Sequence, residues 1–164
     1  MLSQKTRYAL RALLHLAEAE AGRPVQAQEI ASQQRVPRKY LELILLDLKK
    51  AGFIGSRRGP GGGYVLAKPP AEISFADVIR ITDGPIALVP CASHNFYARC
   101  DDCHDEARCA IRRLMVQVRE DTLRTLAGTS LADAASFEIA GDEGDAADPE
   151  PRAAASARAD ALHA

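Results

Sequence analysis

Residues 53–67 read FIGSRRGPGGGYVLA, and this stretch decides the fold. Phe53-Ile54-Gly55-Ser56-Arg57-Arg58 and Gly63-Tyr64-Val65-Leu66-Ala67 are two short strand-forming runs. Between them, Gly59-Pro60-Gly61-Gly62 is a dense turn signal that makes the pair a hairpin. Glycine lets a backbone approach DNA closely, and the flanking Arg57 and Arg58 suit phosphates or a minor groove. A phosphate-cradling nucleotide loop is the competing reading of these glycines. It fails because no Lys-Ser/Thr pair follows and no helix starts directly after them. The hairpin is read as a wing.

Working back toward the N-terminus, Tyr8, Ala9, Ala12, Leu13, Leu16 and Ala17 recur at helical spacing from about Ser3 to Glu20. Gly22, Arg23 and Pro24 end that helix. A short second helix is predicted from Ala27 to Gln33, followed by a tight turn at Gln34-Arg35-Val36. Pro37 is placed in the first turn of a third helix reaching about Ala51, with Leu41, Ile44, Leu45 and Leu48 on its inner stripe. Two helices joined by a turn of this length, with a wing behind them, make a winged helix-turn-helix. The third helix is the one expected in the major groove, with Arg38, Lys39, Tyr40 and Glu42 nearest the bases. Glu42 has the chemistry to accept a hydrogen bond from cytosine N4.

Charge supports this polarity. Residues 1–70 carry 12 Lys+Arg against 5 Asp+Glu, whereas the rest carry 9 against 17. The net charge of −1 hides a basic first half, which attracts a phosphate backbone, and an acidic second half, which repels it. Aromatic residues are only 5% and Trp is absent, so the core must be built from Leu, Ile, Val and Ala. No apolar run is long enough to span a bilayer, and Arg11, His15 and Glu18 interrupt the opening segment as they would not in a signal peptide. A cytoplasmic chain without a membrane partner is expected.

All four cysteines fall in one window, as Cys91, Cys100, Cys103 and Cys109. Thiolates gathered in this way hold an iron–sulfur cluster or a zinc ion, or form a disulfide, and a reducing compartment favours metal or redox sensing. Four thiolates complete the ligand set of a [2Fe–2S] or [4Fe–4S] cluster, or of tetrahedral zinc, leaving His94 and His104 as solvated loop residues. Arg99, Arg108, Arg112 and Arg113 lie nearby and are expected to offset the anionic site and to lower thiol pKa values. Before the cysteines, Ser74 and Asp77 form a capping box that opens a short helix through about Thr82, and Asp83-Gly84-Pro85 stops it. After them a long helix runs from about Cys109 to Ala127. Its stripe of Ile111, Leu114, Met115, Val118, Thr122 and Leu126 needs a partner, and a second copy of the chain is the expected one.

The stretch from Leu41-Glu42 through Lys49-Lys50-Ala51-Gly52, then Arg58-Gly59-Pro60-Gly61-Gly62-Gly63-Tyr64, resembles the Rrf2 family of bacterial transcription regulators. The opening Lys5-Thr6-Arg7-Tyr8-Ala9-Leu10 resembles it too, and the likeness covers about residues 1–135. The resemblance implies a homodimeric winged helix-turn-helix regulator, often a repressor. Many members carry an iron–sulfur cluster in the loop before the dimerisation helix and sense iron, cluster supply, nitric oxide or redox state. It also implies that Glu42 reads bases and that Arg58 serves the wing. Cluster-binding relatives commonly use three cysteines, matched here by Cys91, Cys103 and Cys109, plus a fourth ligand. One branch takes a histidine three residues after the last cysteine, where this chain has Arg112. Another takes an N-terminal aspartate, where this chain has Arg7. Cys100 is extra.

The expected architecture is mainly α with a small β-wing: a winged helix-turn-helix over 1–68, a connecting helix within 69–89, a cysteine-rich sensor loop over 90–109, a dimerisation helix and short terminal helix over 110–138, and a disordered tail over 139–164. The expected function is a DNA-binding regulator, not an enzyme and without a small-molecule substrate. Its operator binding would be controlled by a cysteine-ligated iron–sulfur cluster. Structural zinc and a metal-free thiol/disulfide switch are the near alternatives. An iron–sulfur electron carrier or assembly protein is the distant one, and it leaves the basic half and the wing unexplained.

Overall fold

The computed structural model describes residues 2–20 and 22–141. Helix α1 (Gln4–Glu18) is capped by Ser3, whose Oγ accepts the Thr6 N–H. Helix α2 (Ala27–Gln33) follows, and the turn beyond it places Arg35 at φ +51°, a left-handed conformation. Helix α3 (Arg38–Lys50) starts one residue later than expected. Pro37 is its N-cap and does not lie within its first turn, so the missing proline N–H costs the helix nothing.

The wing is the antiparallel pair β1 (Ile54–Arg57) and β2 (Gly63–Leu66), in the register Ile54 to Leu66 and Arg57 to Gly63. Val25 adds a third rung by exchanging two backbone hydrogen bonds with Tyr64, at 2.9 and 2.8 Å. This rung explains why residue 63 is glycine. A Cβ there would stand 2.5 Å from the Val25 carbonyl oxygen.

Helix α4 (Phe75–Thr82) opens on the expected capping box, with Ser74 Oγ accepting the Asp77 N–H at 3.2 Å. Its C-cap is Asp83, and Gly84 turns the chain away at φ +89°. Residues 85–109 contain only a 3₁₀ turn at Pro90–Ala92. Helix α5 (Ala110–Gly128) then leads into α6 (Leu131–Gly141), whose first turn is capped by Ser130 and Asp133. Helix α6 continues past 138, the expected end of the terminal helix, into residues assigned to a tail. The remaining tail, 142–164, lies outside the described residues.

The core joins these parts more tightly than the sequence divisions suggested. Leu13, Ile30, Leu41, Ile44, Leu45 and Leu48 are wholly buried where α1, α2 and α3 meet. Ile73 and Val78 from beyond the wing, and Leu131 from α6, belong to the same cluster. The Leu131 N–H donates to the Ile73 carbonyl at 2.9 Å, and the Phe75 N–H donates to the Thr129 carbonyl at 3.1 Å. Helix α6 thus packs back on α1, so the chain after the wing is anchored to the reader domain.

Two expectations follow. Leu131→Ala removes a fully buried side chain and should cost about 2–5 kcal/mol, read by denaturant unfolding. The second concerns Lys5 Nζ, 2.7 Å from Asp47 Oδ2, where the hydrogen bond from Lys5 holds the Asp47 carboxyl below its ordinary range and links α1 to α3. A carboxylate depressed in the folded state contributes stability above its unfolded pKa of about 3.9 and loses it as pH falls through the folded value. Asp47→Asn should therefore be slightly less stable than wild type at neutral pH. The two proteins should converge in acid, measured as melting temperature against pH.

Candidate functional site

Two groups of residues carry chemistry. The first is the outer face of α3 together with the wing. Lys39 and Glu42 are exposed on α3, and Arg38 Nε donates to Glu42 Oε1 at 3.0 Å while its Nη1 reaches Gln28 Oε1 at 3.3 Å. Tyr40, expected among the base-facing residues, instead packs its ring edge-on against Tyr8, centroids 5.9 Å apart, and is half-buried on the core. The same face holds two residues that the sequence reading passed over. Leu43 is 60% exposed and Leu46 47% exposed. Their angular position, opposite Leu41, Ile44, Leu45 and Leu48, was the available signal.

In the wing, Arg58 and Pro60 are exposed, and Gly59 and Gly61 adopt φ +99° and +78°, conformations that L side chains rarely hold. The Gly62 N–H closes the turn on the Gly59 carbonyl at 2.9 Å. Arg57 is tied inward, donating to the Gly22 carbonyl at 3.2 Å, and Lys49 Nζ meets Ser56 Oγ at 2.6 Å. The first contact ties the wing to the loop after α1, and the second ties it to α3.

The second group is the cysteine loop. Cys91 sits buried in the 3₁₀ turn, and Cys109 is the N-cap of α5, its Sγ accepting the Arg112 N–H at 3.4 Å. Cys100 Sγ lies 3.7 Å from Cys91 Sγ, and the Cys103 N–H donates to the Cys100 carbonyl at 3.2 Å. Within the fourfold grouping, Cys91 and Cys100 make the direct sulfur–sulfur contact. Two sulfurs on one tetrahedral metal with bonds of about 2.3 Å stand about 3.8 Å apart, so the first pair is already at ligand spacing. Among the described residues, no three His, Cys, Asp or Glu side chains are assembled around one metal position, and His94 and His104 are exposed.

Thiol acidity departs from expectation. The hydrogen bond to Cys91, then burial, raises the Cys100 thiol; burial, then Cys109, raises the Cys103 thiol. Arg99 pulls Cys103 the other way and is outweighed. The arginines act on the backbone instead. Arg99 Nη2 donates to the Cys103 carbonyl at 2.9 Å, and Arg112 Nε donates to the Cys91 carbonyl at 3.2 Å. Arg112 also pairs with Glu106 at 2.7 Å, and Glu106 in turn accepts the Tyr97 hydroxyl at 2.6 Å.

Arg119, which the sequence reading did not single out, is the one buried residue of α5 among those described. Its Nη1 donates to the Ala92 carbonyl, one residue from Cys91, and its Nη2 meets Glu120 at 3.1 Å. An arginine within the apolar stripe of a helix was the signal for it. The first turns of the stripe stay uncovered, with Ile111 67% and Leu114 54% exposed, while Met115, Val118 and Leu126 are half-buried. Val118 and Leu126 line a cavity of about 600 Å³ with Leu2, Ile79 and Leu88. No helix among the described residues is long and apolar enough to cross a membrane.

Comparison with known proteins places this arrangement. Residues 2–136 match the model of the Rrf2 family, described as iron-dependent transcriptional regulators. A Rhodobacter capsulatus protein described as an rrf2-like HTH-type transcriptional regulator is 49% identical over 121 residues, covering 72% of this chain and 81% of its own. The structure of CymR, the global cysteine regulator of Bacillus subtilis, superposes with a TM-score of 0.70 at 33% identity, covering 84% of this chain and 97% of that one. The structure of T. potens IscR gives 0.67 at 26% identity, covering 90% and 93%. A helix-turn-helix with a glycine wing, in a chain matched along this length, leads to one conclusion: the protein belongs to the Rrf2 family of winged-helix transcription regulators and is not an enzyme.

Proposed function

We propose that this chain is a dimeric operator-binding regulator whose DNA affinity is set by an iron–sulfur cluster held by Cys91, Cys100, Cys103 and Cys109. The observation that carries the reading is the 3.7 Å approach of Cys91 Sγ to Cys100 Sγ in the loop that ends at Cys109, the N-cap of α5. A [2Fe–2S] cluster takes two protein ligands on each of two irons; Cys91 with Cys100 would serve one, leaving Cys103 and Cys109 for the other without a histidine. When bound, the cluster would supply a redox-active centre that ties one pair to the other. Arg112 and Arg119 hold the Cys91 turn against α5, so a change at the thiols reaches that helix directly. The exposed Ile111 and Leu114, with the apolar cavity beside Val118 and Leu126, form the surface for the same helix of a second copy. A shift of α5 then alters the spacing of two recognition helices, on which half-site binding depends. Lys39, Glu42, Arg58 and Gly59–Gly62 are the residues that would meet the DNA.

A second reading rests on the 3.7 Å between Cys91 Sγ and Cys100 Sγ, which a modest rotation converts to a disulfide in metal-free protein exposed to an oxidant. Zinc on four thiolates is a weaker fit, because it requires all four around one centre.

The deciding experiment is a visible spectrum with iron and sulfide assay on protein purified without oxygen, followed by operator gel shifts in both loading states. A coloured protein is expected, losing colour on Cys91→Ala or Cys100→Ala, with operator affinity that differs between cluster-loaded and cluster-free forms. Equal affinity in the two forms would overturn sensing. Iron-free protein after reconstitution would overturn the cluster. Leu114→Glu places a charge on the uncovered stripe and should give a monomer by light scattering, with DNA binding reduced to that of a single half-site.

A further inference from the structure

Helix α3 buries four residues completely, Leu41, Ile44, Leu45 and Leu48, yet it also presents Leu43 to solvent at 60% exposure. Every other exposed position on α3 apart from Leu46 is charged. Leu43 follows Glu42 directly and lies one turn beyond Lys39, on the face that the DNA-binding reading turns toward the major groove. The exposed Lys39 stands one turn before it on the same helix face, and a cation there complements phosphate.

A leucine can neither donate nor accept a hydrogen bond. Across a major groove lined with donors and acceptors, the one apolar group in unmodified DNA is the C5-methyl of thymine. A polar base edge set against Leu43 would lose its water without gaining a partner, which disfavours the other bases. We propose that Leu43 is a specificity-determining residue that reads a thymine methyl in each half-site, next to the base pair addressed by Glu42. This inference rests on the DNA-binding reading above. Leu46, one turn further along, widens the apolar surface without defining a second base position.

The test is selection of duplexes from a randomised pool by full-length wild-type protein, Leu43→Ala and Leu43→Gln. Wild type should fix thymine at one position of each half-site. Leu43→Ala should lose that preference while keeping the rest of the motif, and Leu43→Gln should shift it toward adenine. Deoxyuridine at that position removes only the methyl group. It should weaken wild type about fourfold per half-site, the effect of one buried methyl, and leave Leu43→Ala unchanged. An unchanged wild-type affinity for the deoxyuridine duplex, or a Leu43→Ala motif identical to wild type, overturns the proposal. If wild type enriches no motif, the DNA-binding reading fails, and that result is distinct from either of the others. Because Leu43 is exposed, Leu43→Ala should melt as wild type does, which separates loss of reading from loss of fold.

Discussion

The hydrogen bond from the Leu131 N–H to the Ile73 carbonyl, with the Leu131 side chain wholly buried beside it, sets where everything after the wing goes. Without that anchor, α5 would be held only by its packing on α4 and by the contacts of Arg112 and Arg119 to the cysteine loop. With it, the C-terminal end of α5 is fastened to the core and its N-terminal end presents Cys109. The long helix becomes a rod fixed at one end and chemically addressed at the other. Burial of one leucine and one ladder-type backbone bond suffices, because the competing arrangement would leave both a large apolar side chain and two peptide groups in water or unpaired.

Arginine chemistry then decides how the cysteine loop is held. Arg112 and Arg119 grip the carbonyls of Cys91 and Ala92, and Arg99 grips that of Cys103. Guanidinium groups directed at backbone oxygens fix the loop by charge-assisted hydrogen bonds while leaving the sulfurs free. The thiols in turn crowd one another. Their mutual contact and burial raise Cys100 and Cys103 despite the nearby positive charge. The loop holds two of its four soft donors, Cys91 and Cys100, with their sulfurs 3.7 Å apart. Arg112 has a double place here, ordering the Cys91 backbone and pairing with Glu106.

At the opposite end, the reader face combines mobile charge with fixed geometry. The wing is set by Val25, by the Arg57 contact to Gly22 and by Lys49 on Ser56, and these use up groups that the sequence offers equally well to DNA. What stays outward is Lys39, Arg58 and the apolar Leu43, so the face is more selective in its chemistry than its net charge suggests. Glu42 is matched by Arg38, a surface pair worth little in water.

The sequence by itself determined the elements. Helical periodicity placed α1, α2 and α3, the glycine run placed the wing, and Ser74 with Asp77 placed the cap of α4, because these signals are local and each residue's preference agrees with its neighbours'. The clustering of four cysteines was equally legible. Only the tertiary structure decided which residues meet. Leu131 and Ile73 are far apart in the chain, and nothing local says that α6 returns to the core of the reader. The burial of Arg119 and the inward turn of Tyr40 arise the same way, from surfaces brought together at long range. The pairing of Cys91 with Cys100 was hidden for a further reason: loop spacing fixes how far a chain can reach, and side-chain direction in a segment without a regular repeat is set by the contacts around it.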